Sequence, residues 1–152
     1  MFNKFTNKSQ EAIISAQIIA QDNGQQQIEG LHILAALLSQ HESLIKPILE
    51  HLKIDPELVD KRVVKQIEDL PKTPITNSVG AVQGTAEVAM ILERAKKEAD
   101  KMGDEYISTE HIFLALIGIK SDAQEILLGF GIEYETIKKV IFCIMCSLSF
   151  KL

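Results

Sequence analysis

Two stretches decide the fold: SQEAIISAQIIAQDNGQQQIEGLHILAALL at residues 9–38 and VAMILERAKKEADKMGDEYISTEHIFLALI at residues 88–117. They align without a gap at an offset of 79. Ala16 meets Ala95, Ala20 meets Ala99, Gly24 meets Gly103, and Ile28 meets Ile107. His32 meets His111, Ile33 meets Ile112, Ala36 meets Ala115, and Leu37 meets Leu116. That is eight identities in 30 positions, where ordinary residue usage gives about two. One residue of slippage later, Ile48-Leu49 meets Ile126-Leu127 and Ile54 meets Ile132. The chain is a tandem duplication, and each half alone is too small to bury a good core.

Within each copy the period is helical. Ala12, Ile13, Ala16, Ile19 and Ala20 recur at three- and four-residue steps, the apolar stripe of an amphipathic helix. Thr6 precedes the stripe as N-cap and Asn23-Gly24 closes it. A second helix spans about 30–40 and a third about 43–52. Asp55-Pro56 opens a fourth, with Asp as cap and Pro at the first helical position, and a stripe of Val59, Val63, Ile67 and Leu70. Residues 71–84, PKTPITNSVGAVQG, carry two Pro, two Gly and no charge after Lys72, the composition of a linker. Helix resumes near Thr85 and ends at Met102-Gly103. Ser108 caps the next. Ser121-Asp-Ala-Gln124 reads as a capping box, its helix ended by Gly129 or Gly131, and a last helix begins near Tyr134. No segment alternates like a strand for long. The expectation is one all-α domain of about eight helices. Two pseudo-twofold-related four-helix repeats, about 5–70 and 85–141, are followed by an apolar tail at 142–152.

The 152 residues hold 16 Lys and Arg against 21 Asp and Glu, a net charge of −5, with 5% aromatics and no Trp. An acidic chain without a basic block has no electrostatic grip on nucleic acid and no stacking platform for single strands. No apolar run reaches the length of a membrane span, and MFNKFTNKSQ is too polar for a signal-peptide core; the expected location is the cytoplasm. The phosphate-binding G-x-x-x-x-G-K-[ST], the G-x-S-x-G elbow and H-E-x-x-H are all missing. No cofactor or metal is expected, and nothing resembles a catalytic constellation. Cys143 and Cys146 form C-x-x-C, but no second ligand pair accompanies them. They read as two small apolar residues packed on a terminal helix. A duplicated helical unit without catalytic residues presents a surface, and the groove between its halves is the natural ligand site.

FTNKSQ at 5–10, IEGLHILAALL at 28–38 and GDEYISTEH at 103–111 together resemble the double Clp-N (Clp R) repeat domain that begins the Clp AAA+ unfoldases. The resemblance covers about residues 2–141. IEDLPK at 67–72 is similar to the Leu-Pro boundary between repeats in ClpB-type disaggregases, with ClpC-type relatives next. The resemblance implies a mobile N-terminal domain on a hexameric ATP-driven threading ring. Such a domain captures unfolded or aggregated polypeptides, or docks adaptor proteins, and has no ATPase activity of its own. It also implies polymer binding at Thr6, Asp104 and Glu110. Each has a local reading beside that one: Thr6 caps a helix, and Asp104 and Glu110 flank a helix start, where acids favour the dipole. Some relatives carry leucines along the groove where this chain, beside Leu92, has Arg94, Glu98 and His111, which makes the expected lip more polar. The tail VIFCIMCSLSFKL departs from the polar ending that the family has. It packs as a last helix, or reflects a truncated product, or forms an exposed patch that promotes dimers. A capture domain, an adaptor-docking domain and a free-standing oligomerising protein are the three functional readings.

Overall fold

The computed structural model describes residues 2–72 and 83–150, with backbone alone for Phe2 and for 147–150. Its first long helix, α1 (Asn7–Asp22), and the fifth, α5 (Ala86–Lys101), have 16 residues each and begin 79 apart. Each starts on a threonine: Thr6 Oγ1 accepts from the Ser9 N–H and Thr85 Oγ1 from the Val88 N–H, satisfying one orphan donor of the first turn. Each ends on a left-handed glycine, Gly24 at φ 70° and Gly103 at φ 72°. The following N–H reaches back across the cap, Gln25 to the Ala20 carbonyl and Asp104 to that of Ala99, both at 2.9 Å. Helices α2 (Gly30–Ser39) and α6 (Thr109–Gly118) come next. The shorter α3 (Ile45–His51) and α4 (Pro56–Glu68) complete repeat one, and α7 (Asp122–Gly129) and α8 (Tyr134–Phe150) complete repeat two.

Helices α2 and α6 are the centre. Leu31, Ile33, Leu34 and Leu37 on one, and Ile112, Phe113, Leu114 and Leu116 on the other, are buried. The two pack on each other across the pseudo-axis, and each touches outer helices of the opposite repeat. The alanines of the repeat do what small residues allow: Ala12, Ala16, Ala20, Ala95 and Ala99 are all buried, so α1 lies close on α2 and α5 close on α6. Truncating a central leucine to alanine here would cost about 2–5 kcal/mol.

Two short parallel pairings lock the halves together reciprocally. Strand β1 (Gln27–Ile28), in repeat one, pairs with β2 (Gln83–Gly84), just before α5. Phe5, just before α1, bridges Ile107 in repeat two. Ile28 and Ile107 occupy equivalent positions, as do Phe5 and Gly84, so each repeat completes the corner of the other.

The structure amends several local expectations. Strands exist, but only two residues long. Ser121 accepts from the Gln124 N–H at 3.2 Å, whereas the Gln124 amide donates to the Ile117 carbonyl at 2.8 Å. Only half of that capping box forms, because a neighbouring helix end offers the amide a partner. The left-handed stop after α7 is Gly131, φ 80°, with Gly129 still helical. Cys143 and Cys146 are exposed rather than packed. The tail does continue as helix: Ile137, Val140 and Ile141 face the core while Phe142 is 70% exposed. Residues 73–82 of the expected linker lie outside the described residues.

Candidate functional site

The Phe5–Ile107 bridge brings the start of repeat one onto the loop that carries Asp104 and Glu110. The Thr6 N–H donates to the Ile107 carbonyl at 3.0 Å, the Ser9 hydroxyl donates to the same oxygen at 2.9 Å, and the Ile107 N–H donates to the Lys4 carbonyl at 2.7 Å. Thr6 thus sits against the middle of the 104–110 segment. Its hydroxyl is occupied by Ser9, donating to Oγ of that residue at 3.0 Å and accepting its N–H at 3.2 Å. Glu110 lies in the first turn of α6 and is mostly buried; the Thr109 hydroxyl donates to its Oε2 at 3.3 Å. Asp104 is partly exposed and held from behind by His111, Nε2 to Oδ2 at 2.9 Å.

That histidine explains why the repeat carries His at 32 and 111. In both copies it stands at the third helical position and its Nδ1 accepts the N-cap backbone N–H, Glu29 to His32 at 2.8 Å and Ser108 to His111 at 2.9 Å. An accepting Nδ1 leaves the neutral ring's proton on Nε2. Nε2 then donates to the residue after the corner glycine: Gln25 Oε1 at 2.7 Å in repeat one, Asp104 in repeat two. The histidines fasten a helix start to the preceding corner. His111, expected on a groove lip, is therefore an interior fastener.

Glu98 also departs from the groove expectation. It has no exposed surface, and Arg94 Nε donates to it at 2.8 Å while the Tyr134 hydroxyl donates at 2.7 Å. Lys101 stands 4.0 Å away. Burial alone would push the Glu98 carboxyl up, but the bonds from Arg94 and Tyr134 and the charges of Lys101 and Arg94 hold it below its usual value. The Arg94 guanidinium covers the Tyr134 ring at 5.5 Å and lies against Gly118, where an added Cβ would meet its Cζ at 3.0 Å. Leu92 is half-buried on the core. Arg94, Glu98 and Tyr134 thus form a closed polar clasp between α5 and α8. The Arg94–Glu98 spacing, four apart on one helix, was visible in the sequence; its third member, Tyr134, was not.

Apolar surface opens farther along the same helix pair. A cleft of about 820 Å³ lies between the end of α5 and α8, lined by Lys101, Met102, Asp104, Lys138, Ile141 and Phe142 among others. Asp104 is the one member of the expected polar set on its rim. Sequence reasoning flagged the apolar tail but not that it walls a cleft; Phe142, an aromatic on the solvent side of α8, was the available signal. Among the described residues no group of three or more His, Cys, Asp or Glu could hold a metal ion, and no helix is long and apolar enough to cross a membrane.

Comparison with known proteins agrees with this architecture. Residues 4–130 match the Clp repeat (R) N-terminal domain family. The chaperone protein ClpB of Bacteroides thetaiotaomicron is 38% identical over 140 residues, covering 92% of this chain and 16% of that protein. ClpB of Propionibacterium freudenreichii is 34% identical over 136 residues, covering 90% and 16%. The chain thus spans about a sixth of the length of these relatives. Among solved structures, the Hsp104 N-terminal domain from Candida albicans superposes with a TM-score of 0.76 at 21% identity, covering 90% of this chain and 88% of that one. The N-domain of ClpV from Vibrio cholerae gives 0.78 at 17%, covering 95% and 87%. With the gapless duplication, the twin histidine fasteners and the reciprocal bridges in place, the chain belongs to the Clp repeat (R) N-terminal domain family.

Proposed function

We propose that this domain is the substrate-recognition module of a ClpB-like ATP-dependent chaperone, acting in the cytoplasm. It captures unfolded or aggregated polypeptide segments and passes them to an AAA+ ring, without catalysis of its own. The observation that carries the reading is the juxtaposition of one fixed carboxylate, that of Asp104, with an open apolar cleft. Asp104, oriented by His111, stands on the cleft rim, and Glu110 sits six residues on, mostly buried in the first turn of α6. The apolar wall recognises unfolded chain by area. The carboxylates favour basic or amide-rich stretches and turn away acidic, already soluble surfaces. Weak, fast binding suits transfer to a pore.

The test is binding of a denatured basic protein by wild type and by the double variant Asp104→Asn, Glu110→Gln. Asn keeps an oxygen for the His111 Nε2–H, so the fold is spared while the charge is lost. Weakened binding that converges on wild type at high salt supports the reading, since the exposed charge of Asp104 is screened over roughly 8–10 Å. Undiminished binding at low salt refutes it. Retention of a folded adaptor in place of denatured protein would favour the adaptor-docking role.

A further inference from the structure

Free cysteine is among the side chains that proteins bury most consistently, and Cys143 and Cys146 break that habit: both are exposed. They stand three apart on α8, about 60° round the helix from one another, so the two thiols share one face of one turn. The opposite side of the same stretch is anchored. Ile137, Val140 and Ile141 are buried in the core and Ile144 packs against it, which fixes the helix that carries the pair.

Geometry decides what two such thiols can hold. Side chains three apart on a helix have Cβ atoms about 5–6 Å apart, whereas a disulfide needs about 3.5–4.5 Å. The intact helix therefore keeps the sulfurs from closing on each other, but leaves room for one ion gripped between them. Zinc is a poor fit, because its structural sites take four ligands, and among the described residues no group of three or more His, Cys, Asp or Glu could hold a metal. Met145 adds no third sulfur, lying about 160° round the helix from Cys143. Two thiolates alone are a donor set for Cu(I), a soft ion that selects sulfur and is satisfied by two ligands in line. Lys139 suits the same ion. It is exposed and, one turn before Cys143, falls in angle between the two cysteines. A Cu(I) held by two thiolates carries one net negative charge, which the Lys139 ammonium offsets.

We propose that Cys143 and Cys146 form a two-coordinate site for a soft monovalent metal ion, Cu(I) in chemical class, on the outer face of α8. Binding forms two S–Cu bonds and breaks two S–H bonds. Both protons go to water and copper stays at +1, so no oxidant or reductant takes part. The second ligand pair that the sequence lacks is one that zinc needs and Cu(I) does not. The inference is independent of the capture reading, since it uses neither Asp104 nor Glu110.

The test is anaerobic titration of the full chain with Cu(I), supplied as its acetonitrile complex, against a chromophoric Cu(I) chelator. Wild type should take one Cu(I) per chain, with an affinity that rises with pH because each ion displaces two protons. Changing an outer-shell partner of a metal costs about 10–100-fold in affinity. Losing a ligand outright, in Cys143→Ser or in Cys146→Ser, should therefore weaken binding by more than about hundredfold. Both positions are exposed, so neither variant should shift the melting temperature. Zn(II), measured against its own chelator, should not bind at concentrations where Cu(I) saturates. No uptake by wild type overturns the proposal, as does wild-type affinity in either single variant or saturation by Zn(II) under the same conditions. One Cu(I) per two chains, with dimers in sedimentation, also overturns it, showing thiols that bridge copies instead of pairing along one helix.

Discussion

His32 and Gln25 meet in a buried hydrogen bond of 2.7 Å, and Gln25 carries the connection onward to the Ile67 carbonyl at the same distance. One side chain thus joins the start of α2 to the end of α4. Burial lowers the His32 pKa below its usual 6.5, outweighing the opposing bond from the Glu29 backbone. The folded state therefore resists a proton that the unfolded chain accepts. That contribution to stability is complete above the unfolded pKa and is lost as pH falls below about 6.5. His32→Gln should cost about 1–3 kcal/mol at pH 8, and its deficit relative to wild type should shrink as pH falls towards 5. Urea melts across that range check it; a constant deficit would mean that the proton plays no part.

The Tyr134–Glu98 bond makes the opposite end of the pH scale informative. Glu98 is held below its usual value when folded, so its contribution is present above the unfolded pKa, near 4.5, and disappears as pH falls through the lower folded pKa. Tyr134→Phe removes a donor to a buried carboxylate and should cost about 1.5–3 kcal/mol at pH 7. The deficit should close in acid, where Glu98 is neutral. Glu29 and Asp60, both raised chiefly by burial, act with the other sign, so the variant-minus-wild-type difference is the quantity to follow.

Lys53 occupies the place that Gly131 has in repeat two. It ends α3 at φ 62°, with its N–H on the Glu50 carbonyl and the Ile54 N–H on that of Leu49, each at 2.9 Å. A side chain in the left-handed region is strained. Lys53→Gly should raise stability by about 0.5–1 kcal/mol, read as a higher urea midpoint at unchanged slope. A drop in the midpoint would show that chain entropy outweighs the strain.

Thr6 and Thr85 are twin caps with different surroundings. Replacing either with alanine should cost about 1 kcal/mol, and up to about 2 at Thr85, whose hydroxyl also donates to the Ile28 carbonyl at 2.8 Å. Only Thr6 lies beside the Asp104–Glu110 segment. Thr6→Ala alone should weaken capture of denatured protein, measured by anisotropy at a temperature where both variants stay folded. Equal effects on binding would assign Thr6 a capping role and nothing more.

The architecture was legible because duplication wrote it twice. The offset that pairs Gly24 with Gly103 also pairs the helix bounds of α1 with α5 and of α2 with α6 to the residue. What failed to show were partnerships between segments distant in the chain. Glu98 reads as a solvated acid on a helix face until Tyr134, 36 positions on, caps it from α8. His111 reads as a polar lip until Asp104 and Ser108 take both ring nitrogens. The contrast between Gln25 and Asp104 is plain in the alignment. Its effect appears only when the neighbouring helix end is in place, because the amide has an N–H to give and the carboxylate has none.

The reciprocal pairing of Phe5 with Ile107 and of Ile28 with Gly84 also decides how the domain carries load. A pull on the chain at Phe2 does not act first on α1. It meets the Phe5–Ile107 bridge, whose hydrogen bonds to repeat two must break before α1 can be drawn out. The duplication is thus mechanically crossed: tension applied just before α1 or just before α5 is met first by a pairing with the other repeat.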